Sequence, residues 1–249
     1  MLEYNKELAM TKYEPIYKKI KNDIESGKYK RGDYLPSEKE YTEYFSCTRN
    51  TVRRALSLLT NEAYIIPQHG KGVQVIYSAN EDRNIFTVGG IESFAEAIQR
   101  NKQKVETKIA CFKEIIVDEE ISLLSGFDVG TEIFYIERLR YFNQKAIILD
   151  KNYFLKEEMP NLTKEIAKKS IYHYLENELH MSITNSRRRV TAEDATKQDL
   201  KLLDLEKYKY VLVVSGQVFN TKGIMFEYTQ SRHRPDYVCF IESAVRQNI

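Results

Sequence analysis

Arg49, Asn50 and Arg53 stand close together in TRNTVRRAL, and their side chains are of the kind that reads base edges. An arginine fork can donate two parallel hydrogen bonds to guanine O6 and N7, and an asparagine amide can pair with adenine in the major groove. Val52, Ala55, Leu56 and Leu59 recur at the three/four spacing of one buried helical stripe. That stripe leaves Arg49, Asn50 and Arg53 together on the outer face near the helix start. Thr48 supplies a hydroxyl cap there and, with the free helix amides, a place for a phosphate. A solvated polar face on an ordinary surface helix is the plainer reading of these three residues taken alone.

The surrounding elements favour a DNA reader. Ser37 lies three residues before Glu40 in LPSEKEY, the spacing of a capping box in which serine takes the amide of residue 40 and glutamate returns a bond. One helix therefore starts at Ser37, and a second follows the turn at Ser46, Cys47 and Thr48. Residues 64–66 and 73–76 are short β-rich runs separated by PQHGKG, which predicts a hairpin with a glycine-rich tip. Bare backbone at Gly70 can approach a sugar-phosphate rim, while His69 and Lys71 can reach the minor groove or a phosphate. Helix, turn, helix and hairpin together predict a winged helix-turn-helix over residues 1–76.

Residues 13–76 resemble the DNA-binding domain of the GntR family of bacterial transcription regulators. The resemblance is carried by a leading helix (YEPIYKKIKNDIESGKY), then LPSEKEY, TRNTVRRAL and the HGKGV wing. By position it implies DNA contacts from Lys39, Thr48, Arg49, Asn50, Arg53, His69 and Gly70. Cys47 stands where family members often carry a small or branched residue, and Val73-Gln74 replaces the usual Thr-Phe at the end of the wing motif.

The 249 residues leave room for a second, larger domain. With 42% hydrophobic and 30% charged residues, and 18 Tyr and 11 Phe in place of Trp, both domains can bury a core. Formal charge is +2, and residues 1–77 hold 13 Lys or Arg against 10 Asp or Glu, so the small positive excess sits in the expected DNA reader. Cys47, Cys111 and Cys239 are widely spaced with no C-x-x-C pair, which argues against a disulfide framework or a zinc site. No stretch reads as a signal peptide or a bilayer span, and a cytoplasmic protein is expected.

Residues 77–85, YSANEDRNI, are polar and without periodicity, and are read as the linker to a domain over 86–249. A helical stripe of Ile91, Phe94, Ala95 and Ile98 leads into strand-like runs at 105–117, 133–142, 146–154, 183–192, 210–220, 224–234 and 237–245. Helices at 119–124, 162–179 and 197–203 interrupt them. Hairpin spacings at 143–145, 221–223 and 235–236 favour antiparallel pairing, so the expected class is α+β around one antiparallel sheet. On that sheet Arg138 and Arg140 share a strand face, two forks converging on a volume suited to a phosphate or carboxylate. Asp150 with Asn152, and Glu227 with Ser231 and His233, share faces of two further strands and offer the partners that sugar hydroxyls need. Exposed arginines paired with neighbouring acids, and a satisfied polar surface, are the plainer alternatives.

The segments FTVGGIESFAE, AIILDKNYF, MPNLTKEI, SIYHYLENEL and FEYTQSRHRPDYVCFIESAVR resemble the UTRA effector domain of one GntR subgroup, in particular its trehalose-operon members. The resemblance implies a chorismate-lyase-like fold and a sugar-phosphate pocket at Gly90, Ser93, Phe94, Arg138, Arg140, Asp150, Ser170, Tyr172, Glu227 and His233. It also implies trehalose 6-phosphate as effector, no other cofactor, and dimerisation mainly through this domain. A twofold homodimer would read a palindromic operator. Amino-sugar-phosphate sensors of the subgroup usually carry Tyr where His233 stands and Glu where Asp150 stands, which argues for a different sugar. The same architecture sensing another phosphorylated sugar is the alternative. Rival classes are a residual lyase gripping carboxylates through Arg138 and Arg140, and an architectural DNA binder that ignores metabolites. No H-x-E, G-x-S-x-G or P-loop pattern is present, so a regulator is expected rather than an enzyme, with no catalytic or metal-binding residues.

Overall fold

A computed structural model describes residues 13–77, 84–87, 91, 93–100 and 104–241. The chain divides into two compact units. In the smaller, α1 (Glu14–Glu25), α2 (Glu38–Phe45) and α3 (Arg49–Asn61) precede a hairpin of β1 (Ile65–Gln68) and β2 (Gly72–Val75). Ile16, Ile20 and Ile24 line one side of α1 and pack with Tyr41, Val52, Ala55, Leu59 and Ile65 in a single core. The α2 cap forms as its spacing predicts: the Glu40 amide donates to Ser37 Oγ at 3.3 Å and the Ser37 amide donates to Glu40 Oε2 at 2.8 Å. Ser46, at φ 48, ends α2 in the left-handed conformation, and Thr48 Oγ1 accepts from the Thr51 amide to start α3. Gln74 is one of the residues that departs from the usual wing pattern, and it braces the hairpin. It accepts from Gln68 Nε2 at 2.6 Å and donates to the Gly32 carbonyl at 2.9 Å.

The larger unit is one antiparallel sheet with helices laid over its faces. In chain order the elements that follow the hairpin are β3 (Asn84–Thr87), α4 (Phe94–Arg100), β4 (Val105–Ile116), α5 (Glu119–Ser125), β5 (Glu132–Phe142), β6 (Lys145–Leu155), α6 (Lys164–Lys168), α7 (Ile171–His173), β7 (Ile183–Asp194), α8 (Lys197–Leu202), β8 (Tyr210–Asn220) and β9 (Met225–His233). The strand order is β4-β5-β6-β9-β8-β7. Asn143 and Gln144, both at positive φ, make the two-residue turn that matches strand twist between β5 and β6. Between β8 and β9, Asn220 Oδ1 accepts from the amides of Lys222 and Ile224, and Gly223 takes the positive φ that closes the turn.

The strands alternate between two environments. One face carries Leu139, Leu149 and Val213, packed with Leu203 and Leu205 after α8. The other is apolar at both ends: Phe134, Ile136, Phe154 and Val218 meet Leu162, Ala167, Ile171 and Leu175 at one end, and Phe142 and Ile148 meet Phe94 and Ile98 at the other. Its middle is polar.

Three expectations are corrected. The helix read over 162–179 is broken: Lys169 leaves helical geometry, Ser170 caps a fresh start by accepting from the His173 amide, and a π-helical turn spans Tyr174–Glu178. The hairpin read at 235–236 does not form. Pro235–Tyr237 is a 3-10 turn, and the following strand, Val238–Ile241, pairs with Asn84–Thr87 instead of with β9. Proline without an amide and fixed in φ suits such a turn better than a ladder. In α4, Ser93 and Glu96 form a reciprocal cap, so the helix begins after Ile91, and Ala97 is buried where Ala95 is exposed.

Arg232 crosses the apolar face to Asp199. Its Nε donates to both carboxylate oxygens at 2.9 and 3.0 Å, and its Nη1 donates to Glu193 Oε2 at 2.8 Å. Both partners of the Arg232–Asp199 pair are buried. Removing one partner of such a pair strands a charge, so Asp199→Ala is expected to destabilise the protein by about 3–5 kcal/mol. A urea-unfolding midpoint unchanged in this variant would contradict the reading.

Candidate functional site

The polar middle of the sheet face is built from three neighbouring rows. Register places Arg138 beside Asp150 and Ser231, Arg140 beside Ile148 and His233, and Asn152 beside Thr229. Alternation along β5, β6 and β9 turns all these side chains to one side. Arg140 Nε donates to Asp150 Oδ2 at 2.8 Å, its Nη1 donates to Thr107 Oγ1 at 2.7 Å, and its guanidinium lies 4.2 Å from the Phe94 ring centroid. Arg138 donates through Nε and Nη2 to Asn152 Oδ1, at 3.2 and 3.0 Å. Asn152 Nδ2 in turn donates to Glu227 Oε1 and Thr229 Oγ1, both at 2.9 Å. Tyr172 Oη donates to Glu227 Oε2 at 2.8 Å, and Ser231 Oγ donates to Asp150 Oδ1 at 2.6 Å.

Burial decides the electrostatics. Arg138, Arg140, Asp150, Asn152, Glu227 and His233 are all at most 8% exposed. Desolvation, reinforced by the neighbouring Arg140 charge, lowers the Arg138 guanidinium to about 10. Burial pushes the Glu227 carboxyl up, against the pull of Tyr172 and Arg138. At Asp150 burial works the same way, but the Arg140 and Arg138 charges outweigh it and hold the carboxyl below its ordinary range. Burial also pushes the His233 imidazole down to about 4. The cluster thus keeps two cations and an ionised Asp150 in a poorly hydrated place, beside carboxylate, amide, hydroxyl and imidazole groups. That set can grip an anionic group and order several hydroxyls.

Arg138, Arg140, Asp150, Glu227 and His233 are therefore brought together, with Tyr172 and Phe94 against them. Ser93 and Ser170 are N-caps of α4 and α7, their hydroxyls accepting from the amides of Glu96 and His173. Gly90 lies outside the described residues. Arg188 is a residue that sequence reading did not single out. It faces the same side from β7, in one row with Gly216, Thr229 and Asn152. Its stem lies over Gly216, where an added Cβ would stand 3.0 Å from Arg188 Cγ and 2.6 Å from the Arg187 carbonyl. Cross-strand register, which sequence does not supply, brings Arg188 to the cluster's face, where its charge acts on Tyr172.

In the smaller unit, Lys39, Thr48, Arg49, Asn50, Arg53, His69, Gly70 and Lys71 are all exposed. Arg49, Asn50 and Arg53 share the outer surface of α3 over its first turns, while Val52, Ala55, Leu56 and Leu59 face inward. Gly70, at φ 72, sits at the hairpin tip with His69 and Lys71 on either side. Among the described residues no group of His, Cys, Asp and Glu is arranged to hold a metal ion, and no helix is long and apolar enough to cross a membrane.

Two family models match the chain: bacterial regulatory proteins of the gntR family over residues 12–75, and the UTRA domain over residues 100–238. Over 239 residues the chain is 37% identical to the HTH-type transcriptional regulator TreR of Bacillus subtilis (strain 168), a match covering 96% of this chain and 99% of that protein. It is 28% identical over 227 residues to the regulator GmuR of the same organism, covering 91% and 95% of the two chains. Among solved structures, the effector binding domain of the B. subtilis trehalose repressor is 36% identical with a TM-score of 0.53, covering 57% of this chain and 99% of that domain. The possible transcriptional regulator YydK of B. subtilis shares the fold at a TM-score of 0.75 and 22% identity, covering 95% of this chain and 99% of that one.

His233 makes a pH test. Its folded value near 4 lies below the ordinary imidazole value of 6.5, so the unfolded chain binds more protons between those pH values. The neutral imidazole's contribution is whole above pH 6.5 and is lost as pH falls toward 4. Glu227, shifted up, acts with the opposite sign: its contribution is present below its ordinary value of 4.5 and lost as pH rises through the folded one. Comparing wild type with His233→Asn isolates the histidine. Wild-type stability is expected to fall more steeply than the variant's between pH 6.5 and 4, by on the order of 2–3 kcal/mol over the window. Parallel stability curves for the two proteins would contradict the assignment.

Proposed function

The chain belongs to the gntR family of bacterial regulatory proteins and carries a UTRA domain, and on that premise we propose that it is a cytoplasmic repressor of trehalose-utilisation genes, released by trehalose 6-phosphate. It is a transcriptional regulator, as are its relatives, and not an enzyme. In this reading a homodimer binds a palindromic operator through two copies of α3 and its wing, since one helix reads only a short site and symmetry doubles it. Arg49, Arg53 and Asn50 read bases, while Lys39, Thr48, His69, Gly70 and Lys71 hold the backbone and groove rim.

The observation that carries the effector reading is the buried pair Arg138 and Arg140 on one sheet face, hydrogen-bonded to Asn152 and Asp150. A phosphomonoester brings between one and two negative charges, and a desolvated guanidinium pair gains most from such a group. Asp150, Glu227 and His233 then meet sugar hydroxyls. The choice of trehalose rests on the 37% identity to TreR across nearly the whole chain. Turning a regulator from 99:1 to 1:99 in its DNA-competent state requires about 5.5 kcal/mol of differential affinity, here shared over two sites. By linkage, operator DNA must weaken effector binding by the same factor.

Titrating trehalose 6-phosphate into a complex of the full-length protein with its own upstream DNA at fixed salt is expected to release the DNA, whereas free trehalose and glucose 6-phosphate leave it bound. Arg138→Ala is expected to bind the same DNA as tightly and to ignore the effector. Release of the variant at the wild-type concentration would remove Arg138 from the site. A wild-type complex that ignores trehalose 6-phosphate but yields to another sugar phosphate would overturn the trehalose assignment and keep the ligand class.

A further inference from the structure

Glu38 is an acid on a surface that meets phosphates. It is the first residue of α2, and its carboxylate lies between the two base-reading arginines of α3. Glu38 Oε2 is 2.8 Å from Arg49 Nε, and both its oxygens are 3.0 Å from Arg53 Nε. The Glu38 side chain is 27% exposed against 65% and 58% for Arg49 and Arg53, so the carboxylate is recessed and the guanidiniums stand outside it. Helix capping does not account for it, because Ser37 and Glu40 already complete the cap of α2. Exposed ion pairs of this kind add little to stability, and a carboxylate here repels every duplex, whatever its sequence.

We propose that Glu38 is a positioning residue that sets base selectivity: by holding Nε of Arg49 and Arg53 at once, it turns their terminal nitrogens outward as two fixed forks. The inference rests on the reading of Arg49 and Arg53 as base contacts. An arginine side chain loses rotamer freedom when it docks, and one already held loses less. With Nε engaged, each guanidinium presents its Nη1/Nη2 edge, a two-pronged donor that fits guanine O6 and N7. The same carboxylate subtracts a charge from the surface and so holds down affinity for arbitrary DNA. Released from Glu38, both arginines become free cations that reach phosphates anywhere along the backbone.

The test measures full-length wild type, Glu38→Gln, Glu38→Ala and Glu38→Asp against a duplex selected by the wild-type protein from a random pool and against a scrambled duplex, over a series of KCl concentrations. For Glu38→Gln and Glu38→Ala, the selected-to-scrambled affinity ratio is expected to fall about tenfold or more, the low end of what one bidentate base contact is worth. Binding to the scrambled duplex is expected to tighten, with the slope of log K against log salt steeper by up to about 0.9, one further phosphate neutralised. Glu38→Asp keeps the charge but is one methylene short of spanning both arginines, so it restores the slope and only part of the ratio. A ratio unchanged in both neutral variants would overturn the proposal. So would parallel loss on the two duplexes with a lowered thermal midpoint, which marks a merely structural acid. A wild-type protein that binds both duplexes alike would instead remove the base-reading assignment, and the proposal with it.

Discussion

Charge held in the middle of a sheet face is the constraint from which the larger unit follows. An ion moved out of water loses hydration worth several kcal/mol, recovered only through partners in good geometry. Arg138, Arg140 and Asp150 meet that condition by antiparallel register: β5 beside β6 beside β9 sets each cation against an amide or carboxylate and each acceptor against a donor. The apolar residues that drive burial occupy the two ends of the same face, where α6 and α7 cover one and α4 the other. Packing is therefore supplied from the ends, and the polar middle is where the fold can receive a ligand. The opposite face is closed by its own aliphatic core and by the Arg232–Asp199 pair.

That arrangement explains why the site suits an anion with hydroxyls. Arg138 is lowered to about 10 chiefly by desolvation and then by Arg140, with Asp150 and Glu227 pulling the other way, so a buried cation here is incompletely compensated. In the proposed reading a phosphate supplies the opposing charge, and does so only while it is bound. Glu227, whose two oxygens accept from Asn152 and Tyr172, and the neutral His233 are directional partners on β9, beside the cations rather than among them. In that reading affinity and selectivity fall to different residues of one surface. The DNA reader divides its labour in a comparable way, with the guanidiniums of Arg49 and Arg53 outward and the Glu38 carboxylate recessed behind them.

Local signals were legible in sequence where the physics is local. The Ser37/Glu40 cap, the Thr48 start of α3, its buried stripe and the hairpin turn read over 143–145, which closes on Asn143 and Gln144, all rest on contacts within a few residues, and all form. The sharing of one face by Arg138 and Arg140 followed from strand alternation. What sequence did not reveal depends on crossing or register. Arg188 joins the cluster's face only because Gly216 leaves its stem room and four strands align one row. Glu38 reaches Arg49 and Arg53 only through the crossing of α2 and α3. Hydrophobic periodicity likewise ran through Lys169, where Ser170 restarts the helix, and joined β9 to a strand that pairs elsewhere.

The most direct measurement is the thermal midpoint of the full-length protein, free of DNA, with trehalose 6-phosphate, trehalose and inorganic phosphate each added over a concentration series. A ligand that binds only the folded state raises the midpoint as its concentration passes the dissociation constant, by about 2.7 kcal/mol of added stability at a hundredfold excess. The account predicts a saturable rise with trehalose 6-phosphate, far smaller rises with the two fragments, and loss of the rise in Arg138→Ala. Three flat curves, or equal rises with phosphate alone and with the sugar phosphate, would contradict a buried site that grips both the anion and the sugar.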